Sequence, residues 1–494
     1  MKFKLSISFT ALITALVILS SCSKNNVSSK TGWKYNDINN GGFEVNTNYN
    51  EETGPGLVFV EGGTFTMGRV DEDLVYDWNN PPRRVTVSSF YMDETEITNT
   101  DYLEYLYWLK RVFVNSDAGV YSKVYRDALP DTLVWRDRLA YNEPFVDYYL
   151  RHPAYANYPV VGVSWLQANE YCKWRTDRVN ENILINKGIL EINPNQAGSD
   201  NFNTDAYFAG QYEGLVRKNL PNLDPNVEER KARMEDGILL PRYRLPTEAE
   251  WEFAALSNVS DGENISDRRL FPWRGNTIRN DDKKNYGKIL ANNTRGRGDL
   301  MGVSGALNDK AGITSPVKTY WPNDFGLYDM SGNVNEWVMD VYRPLSYEDF
   351  AEFRPFRGNV FETKIRDSEG YLVEKDSLGR IPTRAMSIAE NLNRRNYLKS
   401  NNKNYLDGDL ASSINFNDPD VVDSTTSRMY HIGKGKDEIF SRISDQSRVY
   451  KGGSWRDRAY WLIPGTRRYL DERASKDDLG FRCAMTHLGG PSKE

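Results

Sequence analysis

The chain has 494 residues, 39% of them hydrophobic and 27% charged, with a formal net charge of −6. That balance describes a globular body large enough for one big domain with insertions or for two smaller domains. No segment is dominated by a basic stripe, which excludes nucleic acid as a partner class. Aromatics reach 13%, with 30 Tyr and 12 Trp, a supply suited to a loop-rich core packed with large rings or to an adhesive surface.

The first segment is a targeting device. Met1-Lys2-Phe3-Lys4 is basic, and Leu5 to Leu19 is an apolar run too short to span a membrane comfortably. It ends in Leu19-Ser20-Ser21-Cys22, which resembles a bacterial lipobox. Residues 1–21 are therefore expected to be a lipoprotein signal peptide, with Cys22 carrying the lipid. Residues 22–55 are expected to be a lipid-anchored tether, and the polar stretch from Ser23 to Lys30 carries no signal for secondary structure. Two or three acyl chains on one residue hold a protein durably in outer-membrane lipid, at about 0.8 kcal/mol per buried methylene. No Asp directly follows the cysteine and no acidic cluster comes after it. By analogy with bacterial lipoproteins, the expected address is the periplasmic face of the outer membrane.

Once Cys22 is assigned to lipid, only Cys172 and Cys483 remain of the three cysteines. In an oxidising compartment a lone pair is a disulfide candidate, with two reduced buried thiols as the alternative.

Gly56 to Gly68 alternates apolar and small residues as paired strands would, and Val85 to Met92 reads as another strand. Thr98 or Asn99 can cap a helix whose apolar face includes Tyr102, Leu103, Leu106 and Leu109. Pro159 to Trp165 reads as a buried strand and Leu166 to Arg178 as a helix capped by Ser164. A polar, irregular insertion is expected over about 180–239. Pro246 and Thr247 then open a helix, with Glu250 placed for a capping box. A second insertion, rich in Asn, Asp, Arg and Ser, spans about 347–446; its surface-like composition suits a partner-binding face or a merely solvated excursion.

Phe325 to Trp337 places two carboxylates, Asp329 and Glu336, seven residues apart around a glycine turn. Calcium favours hard oxygens and tolerates irregular geometry, while loop amides or arginines are the other natural partners for these acids. The three histidines, His152, His431 and His487, show no zinc-like spacing. Neither a phosphate loop nor a nucleophile elbow is present.

Near the C-terminus, Arg448 to Leu462 contains Lys451-Gly452-Gly453-Ser454-Trp455-Arg456-Asp457, and Gly480-Phe481-Arg482-Cys483 follows. With Tyr243-Arg244-Leu245-Pro246-Thr247-Glu248-Ala249-Glu250-Trp251, these stretches resemble the formylglycine-generating-enzyme (sulfatase-modifying factor) family. The resemblance implies an α+β, loop-rich, C-type-lectin-related fold over 56–488 with the two insertions, followed by a tail at 489–494. It implies a Cys172–Cys483 bridge. It also implies calcium held by Asp329, the carbonyls of Gly332 and Val334, and Glu336, with a second ion at Asn292, Asn293, Asp309 and the carbonyl of Ala311. Such calcium would be structural.

In catalytic members of that family, two cysteines five residues apart follow the Gly-Gly-Ser and bind copper to oxidise a substrate cysteine. The matching positions here read Asp457 and Leu462, and neither side chain can act as a thiolate. The expectation is a non-catalytic chain without copper. A metal-dependent oxidase or synthase on the same fold is the alternative.

Thr31-Gly32-Trp33, Gly41-Gly42-Phe43, Asp77-Trp78-Asn79-Asn80 and His152-Pro153-Ala154-Tyr155-Ala156, together with the lipobox, resemble the GldJ family of Bacteroidetes gliding-motility lipoproteins and, more distantly, the GldK family. That resemblance implies a scaffold role in gliding and the coupled type IX secretion system. The implied partners are GldK-like and GldN-like ring proteins and the outer-membrane translocon. Three short triplets beginning at Asp131, Asp376 and Asp423 also resemble a Bacteroidetes O-glycosylation sequon.

Overall fold

The computed structural model describes residues 27–46, 49, 51–69, 80–115, 121–224, 226, 227, 229–256, 269–294, 311–342, 352, 356, 362–386 and 446–489. The signal segment, Cys22, Asp77 to Asn79, Asp309, the triplet at Asp423 and most of 347–446 lie outside the described residues.

Four strands open the domain: β1 (Leu57–Val60), β2 (Gly63–Met67), β3 (Arg83–Val87) and β4 (Phe90–Asp93). The alternation over Gly56 to Gly68 does mark two strands, but they do not pair with each other. β1 runs antiparallel to β4, and β2 runs antiparallel to β3. Gly62 explains the parting, because a Cβ there would stand 2.4 Å from the Ser89 backbone nitrogen. The single strand expected over Val85 to Met92 is likewise split at Ser88 and Ser89.

Three helix starts follow their local chemistry. Thr98 caps α1 (Asn99–Leu109) in a capping box with Asp101. After α2 (Ser122–Ala128) and α3 (Glu143–Tyr148), Ser164 caps α4 (Trp165–Asn186) in a box with Gln167. Pro159 to Trp165 does not form the expected strand. Val160 and Gly162 donate instead to the carbonyls of Ile97 and Lys476, both at 2.9 Å.

Helix α4 continues past Arg178 into the stretch expected to be a polar excursion. There it meets α5 (Thr204–Phe208) and the hairpin of β5 (Leu220–Pro221) and β6 (Glu229–Arg230). Leu184, Ile189, Leu190, Phe202, Tyr207 and Tyr212 form a core of their own, so 180–239 is a folded lobe.

Strand β7 (Tyr243–Arg244) leads to α6 (Glu248–Leu256), where Thr247 and Glu250 exchange the capping-box bonds at 3.2 and 2.9 Å. The remaining strands are β8 (Asn335–Val341), β9 (Glu362–Lys364), β10 (Thr383–Ala385), β11 (Ser447–Lys451), β12 (Arg468–Asp471), β13 (Leu479–Gly480) and β14 (Ala484–Thr486). One four-stranded sheet is ordered β1-β4-β14-β7 and the other β12-β11-β8-β13, with β13 parallel to β8. The result is a mixed α/β fold whose core is rich in rings. Tyr102 on α1 stacks on Tyr171 of α4 at 5.7 Å, and Phe481 meets Tyr171 edge-on at 5.3 Å.

The same core holds the cysteines. Cys172 on α4 and Cys483 are both buried, with sulfurs 3.3 Å apart. The expected partners are brought together across 311 positions of sequence. Both thiols lie in the apolar core beside Tyr171 and Phe481, so the pair is shielded from solvent.

Candidate functional site: a filled centre beside an acidic cluster

Strand β11 leads directly into Gly452 and Gly453, both in the left-handed region. The second has no room for a side chain, since a Cβ there would meet the Trp461 carbonyl at 2.7 Å and Leu462 Cδ1 at 2.9 Å. This turn delivers Ser454, Asp457 and Leu462 to one region. Asp457 receives both arms of Arg468, at 2.9 and 2.7 Å, and the Ser454 hydroxyl donates to it at 2.8 Å. Burial pushes the Asp457 carboxyl up, but the Arg468 hydrogen bonds overcome this and hold it below the usual carboxylate range. Leu462 is fully buried and packs with Phe271, Ala291 and Ile463. At these two positions the chain places an arginine-locked carboxylate and an alkyl group. Neither presents a free soft ligand or nucleophile.

A cavity of about 710 Å³ opens beside this centre, walled by Trp135, Phe145, Tyr155, Tyr158 and Trp455 and edged by Arg456 and Asp477. A second, of about 440 Å³, shares Arg456 and Asp477 with the first and includes Asp457 and Arg468 in its lining. Trp455 stacks on Trp135 at 6.3 Å, and its indole N–H is buried without an acceptor. Large rings therefore pack the core, as one of the two expected uses has it, and also wall this cleft.

Below the centre lies a group of acids. Asp329, at φ 55, accepts from the Lys318 backbone N–H at 3.1 Å. Both Glu336 oxygens are taken by Arg482, at 2.6 and 2.7 Å, and the Trp251 indole adds 2.8 Å. A third carboxylate, Glu96, was not anticipated from the sequence. It accepts from Asn333 Nδ2 at 2.7 Å and from the Val334 N–H at 3.1 Å. Of the three acids Arg482 contacts Glu336 alone, and its charge reaches Glu96 and Asp329 only through space. Burial together with the neighbouring acids pushes Glu96 well above its ordinary range, and burial pushes Asp329 to about 6.

Asn333 joins this cluster to the second expected group. Its side-chain oxygen accepts from Asn292 Nδ2 at 3.3 Å and from the Ser315 N–H at 2.8 Å. Gly332 presses on the Asn292 carbonyl so closely that a Cβ would stand 2.5 Å away. Asn292 Oδ1 and Asn293 Oδ1 are buried acceptors without a donor. Ala311 lines the large cavity, and Asp309 lies outside the described residues.

The donors fit a hard cation in part. Surplus buried negative charge and two unanswered amide oxygens suit calcium, but the Arg482 contacts already occupy Glu336. Among the described residues, no three His, Cys, Asp or Glu side chains are grouped as metal ligands.

A structurally different set of charges surrounds α6. Lys451 Nζ donates to Glu252 at 2.6 Å and to Glu248 at 3.4 Å, while Arg467 grips Glu248 at 2.6 and 2.9 Å. All four residues are buried. Arg467 and Arg482 thus each supply a forked donor to a buried carboxylate.

This architecture is a mixed α/β framework in which a glycine turn carries a small polar network beside an aromatic cleft. Its relatives give that class a name. The sulfatase-modifying factor enzyme 1-like domain matches residues 43–385, and the chain belongs to that family. Formylglycine-generating enzyme of Mus musculus is 26% identical over 342 residues, covering 65% of this chain and 67% of that protein. "Inactive C-alpha-formylglycine-generating enzyme 2" of Mus musculus is 25% identical over 303 residues, covering 59% of this chain and 70% of that protein. The chain spans 57% of the bovine formylglycine-generating enzyme. PvdO from Pseudomonas aeruginosa aligns over 87% of this chain and 94% of its own, at 15% identity and a TM-score of 0.38. That likeness is too loose to bear on the assignment.

Proposed function

We propose that this protein is a non-catalytic member of its family, anchored through Cys22 at the periplasmic face of the outer membrane. It acts as a scaffold of the gliding machinery and the coupled type IX secretion system. The observation that carries the non-catalytic part is Asp457 locked by Arg468 next to a buried Leu462, where the family resemblance sets two thiolates. An oxidase on this framework needs sulfur there to take up copper. The relatives named inactive are consistent with this reading. GldK-like and GldN-like ring proteins and the translocon are the proposed partners, and structural calcium at the acidic cluster is the proposed cofactor. The aromatic cleft beside Asp457 remains open to hold a partner segment.

Deleting the gene tests the assignment to this machinery. Spreading and type IX secretion should both be lost, and normal spreading with normal secretion would reject it. Copper titration of the purified protein tests the rest. No stoichiometric uptake and no turnover of a cysteine peptide are expected, whereas either one would revive the oxidase alternative.

A further inference from the structure

Residues 27–46, at the start of the described chain, form a small hydrogen-bonded lobe. Ser28 receives the Thr31 N–H on its hydroxyl at 3.1 Å and donates its own N–H to the Trp33 carbonyl at 2.8 Å. Asn36 exchanges two bonds with Val45, at 2.7 and 3.0 Å, and donates its N–H to the Phe43 carbonyl at 2.9 Å. Asp37 caps a short turn over Ile38–Asn40 that Gly41 closes in the left-handed region. Tyr35 meets Phe43 edge-on at 5.8 Å.

This small lobe is clamped to the folded lobe of 180–239. Glu44 ion-pairs with Arg230 and accepts the Leu223 N–H at 3.0 Å. Arg230 is in turn held by both oxygens of Asp236 at 2.7 Å, and Asn46 donates to the Asp236 carbonyl at 3.0 Å. The Arg230 hydrogen bond holds the Glu44 carboxyl below its ordinary range. Gly42 is required at the contact, since a Cβ there would lie 1.9 Å from the Leu223 carbonyl oxygen.

Within eleven residues the lobe leaves three large apolar side chains in solvent: Trp33 at 59%, Ile38 at 50% and Phe43 at 65%. Lys30 and Lys34 flank them. Only four residues, 23–26, separate Cys22 from Val27. Fully extended, those five steps reach about 18 Å. An acylated Cys22 therefore keeps Val27, where the lobe begins, within about that distance of the lipidated residue, whatever the rest of the domain does. Aromatic side chains are favoured at the headgroup level, and adjacent lysines are attracted to anionic lipid.

We propose that Trp33, Ile38 and Phe43 form a lipid-docking surface that seats in the interface of the membrane holding the anchor. Through the Glu44–Arg230–Asp236 clamp, this fixes the orientation of the domain on that membrane. The proposal rests on lipidation of Cys22.

The test uses the full-length lipoprotein reconstituted into vesicles of phosphatidylethanolamine and phosphatidylglycerol. Mass analysis of the N-terminal peptide reports acylation. Hydrogen exchange compares residues 33–43 with those of vesicle-free Cys22→Ser protein. The expected result is an acylated Cys22 and exchange slowed roughly tenfold over 33–43. Combined Trp33→Ser, Ile38→Ser and Phe43→Ser substitutions should erase the slowing while leaving protection of β8 and β11 unchanged. Trp33→Tyr alone should retain it.

Acylation without slowing would overturn the docking surface and leave the anchor standing. An unmodified Cys22 would overturn both. Slowing in native membranes but not in protein-free vesicles would assign the surface to a protein partner and overturn the lipid proposal.

Discussion

Two buried groups of charge lie close together in this fold and are built on opposite principles. Around α6, the carboxylates of Glu248 and Glu252 meet the cations of Lys451 and Arg467. Around the start of β8, Glu336 is held by Arg482, while Glu96 and Asp329 stand near that one guanidinium without a cation of their own in contact. A buried pair with matched partners is self-sufficient, although apolar residues of the same volume are often as stable. A buried surplus is relieved only by protons or by a cation from outside. The first group therefore welds strands and helix together, whereas the second carries a surplus that shows as raised Glu96 and Asp329 carboxyls.

The strongest way to break the contrast is to remove one cation from each group. Lys451→Met leaves Glu252 without its cation and should cost about 3–5 kcal/mol in denaturant unfolding. Arg482→Met should cost a similar amount, and millimolar calcium should recover part of that loss alone. Equal response of the two variants to calcium would erase the distinction.

Acid titration tests the first group. Burial alone would raise the Glu248 carboxyl, but Arg467 and Lys451 overcome burial and hold it at about 2 against an ordinary 4.5. A depressed carboxylate contributes stability that is complete above its unfolded value and lost as the pH falls through its folded one. About 3 kcal/mol should therefore disappear between about pH 4.5 and pH 2. The Glu248→Gln variant, unfolded over the same range, should lack that slope.

Chelation tests the second group. Calcium at a hundredfold excess over its dissociation constant should stabilise the protein by about 2.7 kcal/mol, read as a rise in Tm. Glu96→Gln removes one of the three acids and should shrink that rise, and a wild-type Tm indifferent to calcium and chelator would remove the ion from the account. The smallest effect lies outside both groups. Thr98→Ala deletes a cap and should cost about 1 kcal/mol, a baseline for a purely local interaction.

Legibility in the sequence followed the range of the interaction. Thr98, Ser164 and Thr247 were readable as caps because each partner lies three residues away. The pairing of β1 with β4 was not, because alternation marks a strand without naming its neighbour. Glu96 was missed because its partners Asn333 and Val334 stand 237 and 238 positions away. Its only local signal is an acid directly before the apolar residue that leads into a helix cap. The core of 180–239 was hidden because its apolar residues follow neither helical nor strand spacing. The Gly-Gly-Ser turn and the loss of sulfur after it were legible, but the arginine that fills the vacancy was not paired with Asp457 in advance.

Strand β14 lies between β4 and β7, and β11 lies between β12 and β8. Both sheets are thus finished by residues from the last fifty positions of the chain, β14 between strands made hundreds of residues earlier and β11 beside a strand made about a hundred residues earlier. Such long-range closure is slow and leaves unfinished edges exposed while it waits. A chain still lacking β11 and β14 can collapse but leaves both four-stranded sheets open. The final segment works as a zip fastener, drawing early and late parts of the chain into the same two sheets.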